Sequence, residues 1–298
     1  MPLAAPSGYT GTRFFPQRPS TLPCPGMKTV VGSSRFAVAC ALFVFACSSH
    51  KQHPPPLPDY TGARGNAGAE PSSDGGDSLE PVRPAQPQLE GPLTTKNSSE
   101  RTGTFFLPAG YNTRAFPLLV AFHGSDGAGS DMVSAFHSLA VARRFIIVAP
   151  DSRQFEGHFN WQVGDGPGHV TDDYTHTLDC IAEVRAKDGV TIDAARTLTA
   201  GFSGGGSSAP YLATNEPLFT AFAVLHGGVI QGGIGSNVIR GWFSTGQDDP
   251  ARPPALVQQS VDYIEGLGFP DVTYTLYPGG HVLSPPELAD VVGWWLRS

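Results

Sequence analysis

Gly201-Phe202-Ser203-Gly204-Gly205, within Thr197-Leu-Thr-Ala-Gly-Phe-Ser-Gly-Gly-Gly-Ser-Ser208, constrains this chain more than any other stretch. A short apolar run ends in a serine between glycines, and small residues open a helix directly after it. The pattern predicts a strand, a very tight turn with Ser203 at its tip, and a helix start. A serine on such a turn is forced into a strained backbone conformation, and the flanking glycines let strand and helix approach closely. The free N–H groups of the helix start then lie beneath the hydroxyl, where they can meet a developing oxyanion.

The surrounding pattern fits that turn. Pro117-Leu-Leu-Val-Ala-Phe122 and Phe145-Ile-Ile-Val-Ala149 are apolar without alternation, as in strands buried on both faces. Thr102–Leu107, Thr220–Leu225, Gly241–Ser244 and Val272–Leu276 read as further strands. Helices are expected from about Asp131 to Arg144, from Thr171 to Lys187 and from the serine turn to about Asn215, and another carries Val257, Val261 and Ile264 on one face. The last helix is signed by Ser284-Pro-Pro-Glu287, a capping box with proline in the first turn, followed by a stripe of Leu288, Val291, Val292, Trp295 and Leu296. Strand and helix alternating with buried strands imply an α/β fold, a mainly parallel sheet with helices on both faces. Ligands in such sheets sit at the carboxyl ends of the strands. Four chemically apt segments fall there: His123-Gly124-Ser125, Ser203, the Gln247-Asp248-Asp249 turn and His281.

A serine hydroxyl is a poor nucleophile unless a base lies within hydrogen-bond reach and a carboxylate fixes that base's tautomer. Where the serine sits on a strand–turn–helix elbow, the chain order is Ser, acid, His. Only His226 and His281 follow Ser203, and His226 precedes the strand expected to carry the acid, so the order selects His281. Asp248 and Asp249 compete for the acid. Spacing from Gly246 and the proline that follows favour Asp249. The backbone N–H groups of Gly204 and Ser125 are the expected oxyanion donors. His123, Trp161 and His226 are candidates for the pocket, with loop ordering or plain packing as the alternative for each. Cys180 reads as a small buried residue on its helix.

Pro117-Leu-Leu-Val-Ala-Phe-His-Gly124, Asp172-Asp173 through Gly189-Val-Thr-Ile-Asp193-Ala-Ala-Arg196, Ala200-Gly-Phe-Ser-Gly-Gly205, Gly246-Gln-Asp-Asp-Pro250 and Gly280-His281 together resemble the secreted polyhydroxybutyrate-depolymerase and feruloyl-esterase group of α/β-hydrolases. The resemblance covers roughly residues 101–298. It implies the α/β-hydrolase fold and hydrolysis of carboxylic esters through an acyl-enzyme, with no cofactor and no metal. Between His226 and Val238 this chain has a short glycine-rich loop where relatives often carry a helix or lid. An open site for short-acyl or aryl esters, small-molecule or oligomeric, is expected. A peptidase or acyltransferase with the same triad, and a non-catalytic lipoprotein on a hydrolase scaffold, are the alternatives.

The first hundred residues are of another kind. Residues 1–26 are proline-rich without periodicity, and Met27 is expected to be the true start. Lys28 and Arg35 precede an apolar run from Phe36 to Ala46, too short for a bilayer span of ~20 residues but suited to a signal peptide over 27–46. Val44-Phe-Ala-Cys47 looks like a bacterial lipoprotein box, with Phe45 departing from the usual small or aliphatic residue. Cys47 would then carry a lipid anchoring the exported protein to a membrane. A plain secretory signal cleaved near Ala46 is the alternative. Residues 47–98 read as a disordered tether rich in Pro, Gly and Ser, leaving 99–298 as the catalytic domain. Asn97-Ser98-Ser99 matches a glycosylation triplet by chance on this reading. The four cysteines (Cys24, Cys40, Cys47, Cys180) form no metal-binding or disulfide pattern. A net charge of −7 without a basic cluster argues against a nucleic-acid partner.

Overall fold

The computed structural model describes residues 84–155 and 157–297. The readings of residues 1–26, of the signal peptide 27–46 and of Cys47 lie outside these residues. Ten strands and five α-helices alternate along the described chain: β1 (Leu89–Pro92), β2 (Gly103–Leu107), β3 (Phe116–Phe122), α1 (Gly129–Arg143), β4 (Ile146–Pro150), β5 (Gln154–Phe155), β6 (His158–Phe159), α2 (Asp172–Arg185), β7 (Ile192–Phe202), α3 (Gly205–Asn215), β8 (Ala221–Leu225), β9 (Arg240–Gly246), α4 (Pro254–Gly266), β10 (Val272–Tyr277) and α5 (Pro285–Leu296). Eight strands form one sheet in the order β1-β2-β4-β3-β7-β8-β9-β10. The six from β4 to β10 run parallel, while β2 is antiparallel to β4, and β1 to β2.

The unalternating apolar strands are buried because each of their faces meets helices. Leu118, Val120 and Phe122 of β3 join a cluster with Ile181 and Val184 of α2, Leu212 of α3 and Val257, Val261 and Ile264 of α4. Leu119 and Ala121, facing the other way, join Met132 and Phe136 of α1 and Val291, Val292 and Trp295 of α5. At roughly 1.5–3 kcal/mol for each large side chain fully removed from water, these two layers are the dominant favourable term.

Two departures from the sequence reading have clear causes. The sheet begins at Leu89, inside the stretch read as tether to residue 98. Leu93 is buried, and the amides of Thr94 and Thr95 donate to the Glu183 carboxylate of α2. An edge strand tolerates a terminal proline, so the Pro-rich composition concealed β1. The elbow strand is also longer than the short run expected. β7 starts at Ile192, and its pairing with β3 jumps from Phe116↔Ile192 to Leu118↔Thr197. The extra residues bulge around Asp193, whose carboxylate accepts from the Ala195 amide and the Arg196 guanidinium.

Candidate active site

The turn after β7 is as tight as its glycines imply. Ser203 has φ 52°, in the left-handed region that costs a non-glycine residue energy. A Cβ on Gly201 would run into the carbonyl of Gly205, and one on Gly205 into the carbonyls of Phe122 and His123. Strand and helix can therefore close only without side chains at both places. The turn is further pinned by Ser203 N–H donating to Leu225 O at 2.9 Å. The Ser203 side chain stands half-buried at the carboxyl edge of the sheet.

Three side chains separated in sequence meet there. Ser203 Oγ lies 2.8 Å from His281 Nε2, and His281 Nδ1 lies 2.7 Å from Asp249 Oδ2. Asp249 is buried and its neighbour Asp248 is exposed. The turn after β9 and the loop after β10 are joined through backbone: Gln247 N–H donates to Tyr277 O, and Asp248 N–H to Gly279 O. A Cβ on Gly246 would strike the carbonyls of Gly279 and Gly280, so this contact too requires glycine. The Asp249 Oδ1 atom accepts from the amides of Ala251 and Arg252 at 2.9 and 2.8 Å. Burial pushes the Asp249 carboxyl upward, but its hydrogen bonds with His226, His281 and the Arg252 amide outweigh this and hold it well below the usual carboxylate range.

Gly124 and Ser125 run beside the serine. A Cβ on Gly124 would lie 3.4 Å from Ser203 Cβ, and one on Gly204 would lie 3.4 Å from Ser125 N. Neither the Ser125 nor the Gly204 N–H donates to another group among the described residues. The loop holding Ser125 is fixed one residue on. Asp126 N–H donates to Phe159 O, and the Asp126 carboxylate accepts from Phe159 N–H and meets His158 Nδ1. The β5–β6 ladder, inside a stretch read as loop, supplies that clamp.

The three pocket candidates stand elsewhere. His123 is buried, accepts the Ser152 N–H on Nε2 at 3.0 Å, and packs against Trp161. Burial lowers its proton affinity. Trp161 is also buried, donates from its indole N–H to His123 O, and borders a small cavity of about 10 Å³ with Tyr174, Ser208 and Tyr211. His226 takes the structural alternative and not the pocket wall: it is 1% exposed, behind the triad, with Nδ1 2.7 Å from Asp249 Oδ2 and Nε2 3.3 Å from Glu287 Oε2. Its backbone is drawn in by the bond from its N–H to Ser244 O on β9.

Two neighbours escaped the sequence reading. Asn160 Oδ1 accepts the Trp161 N–H and would lie 2.6 Å from a Cβ on Gly204, so its carboxamide fills the place of the side chain that Gly204 lacks. Glu287 is fully buried. It was legible only as the capping-box residue of α5, where Ser284 N–H indeed donates to it. His226, Asp249 and His281 also form a group whose potential ligand atoms lie within 4.8 Å of one another. Their 2.7 Å separations are those of N–H···O bonds, and both imidazole Nδ1 atoms face the carboxylate rather than a shared centre.

No family model matches the chain, and no curated protein does. Solved structures do resemble it. Esterase PE8 aligns with 20% identity over 65% of this chain and 97% of its own (TM-score 0.51), and a ferulic acid esterase with 18% over 67% and 93% (TM-score 0.52). A carboxylesterase from Mesorhizobium loti aligns with 17% over 70% and 99% (TM-score 0.51). The chain has the α/β-hydrolase fold. The α/β-hydrolase arrangement explains why the Ser203 turn, the Asp249 turn and the His281 loop share one edge: each follows a parallel strand, and parallel strands end on the same side.

Proposed function

We propose that the protein is a serine hydrolase of carboxylic esters. The observation that carries this is the unbroken line from Ser203 Oγ to His281 Nε2 at 2.8 Å and from His281 Nδ1 to Asp249 Oδ2 at 2.7 Å. In this reading Ser203 Oγ attacks the ester carbonyl carbon as its proton passes to His281 Nε2. Asp249 holds the imidazole in the tautomer that carries its proton on Nδ1. The carbonyl oxygen, now negative, takes hydrogen bonds from the uncommitted amides of Gly204 and Ser125. Collapse expels the alcohol, which takes the proton from His281 and leaves an acyl-serine. Water then repeats the cycle with His281 as base, releasing the carboxylic acid and restoring the serine.

The partly exposed serine and the loop His226–Val238, whose one helical turn is the 3₁₀ segment Gln231–Gly233, support an open site for short-acyl or aryl esters. The resemblance to the depolymerase and feruloyl-esterase group extends the reading to oligomeric esters of those acids. The apolar run before Cys47 supports export and a lipid anchor at that cysteine, on the periplasmic or cell-surface side of a membrane; mass spectrometry of the native N-terminus tests that part separately. Hydrolysis of p-nitrophenyl acetate tests the chemistry. Ser203→Ala is expected to lower kcat on the order of 10⁶-fold without changing the fold. Activity unaffected by that substitution would refute the assignment of the nucleophile.

A further inference from the structure

The triad leaves unused a second imidazole on the same carboxylate. His226 Nδ1 and His281 Nδ1 each lie 2.7 Å from Asp249 Oδ2. The 2.7 Å contact, rather than the 3.4 Å approach of the Gly246 N–H, sets the role of His226 Nδ1 as a donor. On its far side His226 Nε2 meets Glu287 Oε2 at 3.3 Å, while Glu287 Oε1 accepts the Ser244 hydroxyl at 2.7 Å. Asp249, Glu287 and His226 are all 2% exposed or less. Among the described residues no Lys or Arg side chain pairs with either carboxylate. Two carboxylates buried without a cation would repel each other and lose their hydration, so the imidazole between them is the group that can balance them. An imidazole donating from both nitrogens carries both protons and a positive charge.

We propose that His226 is a positioning residue of the triad, a buried imidazolium held by Glu287 that fixes the Asp249 carboxylate and shares its charge with His281. The inference rests on the triad reading above. Burial opposes charge on His226, but its bonds to Glu287 and Asp249 outweigh that and raise its proton affinity. The titratable groups packed against it come from three elements: Asp249 from the turn after β9, Glu287 from α5, and His281, with ring centroids 5.5 Å apart, from the loop after β10. From the end of β7 it meets the Phe202 ring. The consequence falls on His281. With His226 donating to Asp249 Oδ2 from behind, the carboxylate is fixed where it meets His281 Nδ1 at 2.7 Å.

Proton NMR of the intact protein reads this without turnover. The wild type is expected to show three low-field imidazole N–H signals, one from each histidine on Asp249 and one from His226 on Glu287. His226→Gln removes both of the His226 signals and moves or broadens the His281 signal that remains, because the carboxylate has lost its second imidazole donor. The hydrolysis rate then falls about tenfold, in kcat and not in KM. Combining His226→Gln with Glu287→Gln, which removes the cation and its counter-ion together, recovers part of that loss. A merely structural role would lower thermal stability and leave the His281 signal and kcat in place, and that result would overturn the proposal. If His226→Gln does not fold, Glu287→Gln alone is read at His226, which gives up its second proton about one pH unit lower; an unmoved His226 titration overturns the proposal equally. A protein that shows these shifts yet hydrolyses no ester would refute the esterase reading and leave this one standing.

Discussion

On the flank of the site built from the ends of β8, β9 and β10 and the start of α5, the polar side chains are already committed to one another. Asp249 accepts from two backbone amides and meets two imidazoles, and Glu287 meets an imidazole, a hydroxyl and an amide. On the opposite flank, where the turn after β3 meets the start of α3, the Gly204 and Ser125 amides have no acceptor among the described residues, although the loop around them is clamped through Asp126 and Phe159. One flank is a closed network that sets a charge. The other is a rigid cradle whose donors await a partner. Fixing donors before charge develops is what makes such a cradle effective, since no reorganisation is needed when the oxyanion forms.

Replacing Asp249 should break the closed flank most severely. Asp249→Asn puts an amide against two imidazoles that both need an acceptor and turns His281 to the wrong tautomer. A kcat loss of about 10⁴-fold is expected, with KM little changed. Steady-state kinetics on a short p-nitrophenyl ester checks it, and a loss below about tenfold would mean that this flank is not catalytic machinery.

The open flank is probed at Gly204. A Cβ there would come within 2.6 Å of Asn160 Oδ1 and 2.9 Å of Ser125 Oγ, so Gly204→Ala must push the two halves of the cradle apart. Removing one oxyanion donor costs about 10²–10³-fold in kcat, and this displacement should approach the lower figure. Asn160→Ala in the same chain removes the nearer obstacle and should recover part of the loss. Equal kinetics in the single and double variants would show that the donors do not depend on this packing.

The two flanks also differ in how far they could be read from residues alone. Ser203, Asp249 and His281 each follow a strand end and each has glycine beside it or a few residues before it, so a parallel sheet is enough to suggest that they converge. The choice of Asp249 over Asp248 rested on turn spacing, and the structure distinguishes them by burial: only one of two adjacent side chains in a turn can face inward. Glu287 was invisible as part of the network because its capping-box role accounts fully for its identity, and His226 meets it across 61 positions that no periodicity spans. Asn160 lies in a stretch without period or cap, and its place is set by the Trp161 amide and the empty side of Gly204. The early start at β1 was hidden for the opposite reason, since an edge strand needs little apolar sequence and proline made it look like linker.

The smallest expected effect is on stability, and it tests the closed flank without reference to catalysis. Asp249 is depressed in the fold, so its stabilisation is complete above the unfolded carboxylate pKa of about 3.9 and is lost as pH falls below it. His226 is raised, so its contribution is complete below the unfolded value of about 6.5 and disappears as pH rises through the higher folded value. Other buried groups add their own slopes. His123 and His176 are lowered by burial and Asp173 and Glu216 raised by it, so the wild-type profile alone does not isolate the pair. The difference between wild type and the His226→Gln, Glu287→Gln double variant does. It should be largest between about pH 4 and 6.5, where the wild type holds both charges, and should shrink on the alkaline side as His226 gives up its proton. For a domain of this size each 1 kcal/mol appears as about 2–4 °C in Tm, so melting curves at closely spaced pH values resolve it. A difference independent of pH would mean that the two side chains contribute packing alone, and that the closed flank is held by shape and not by charge.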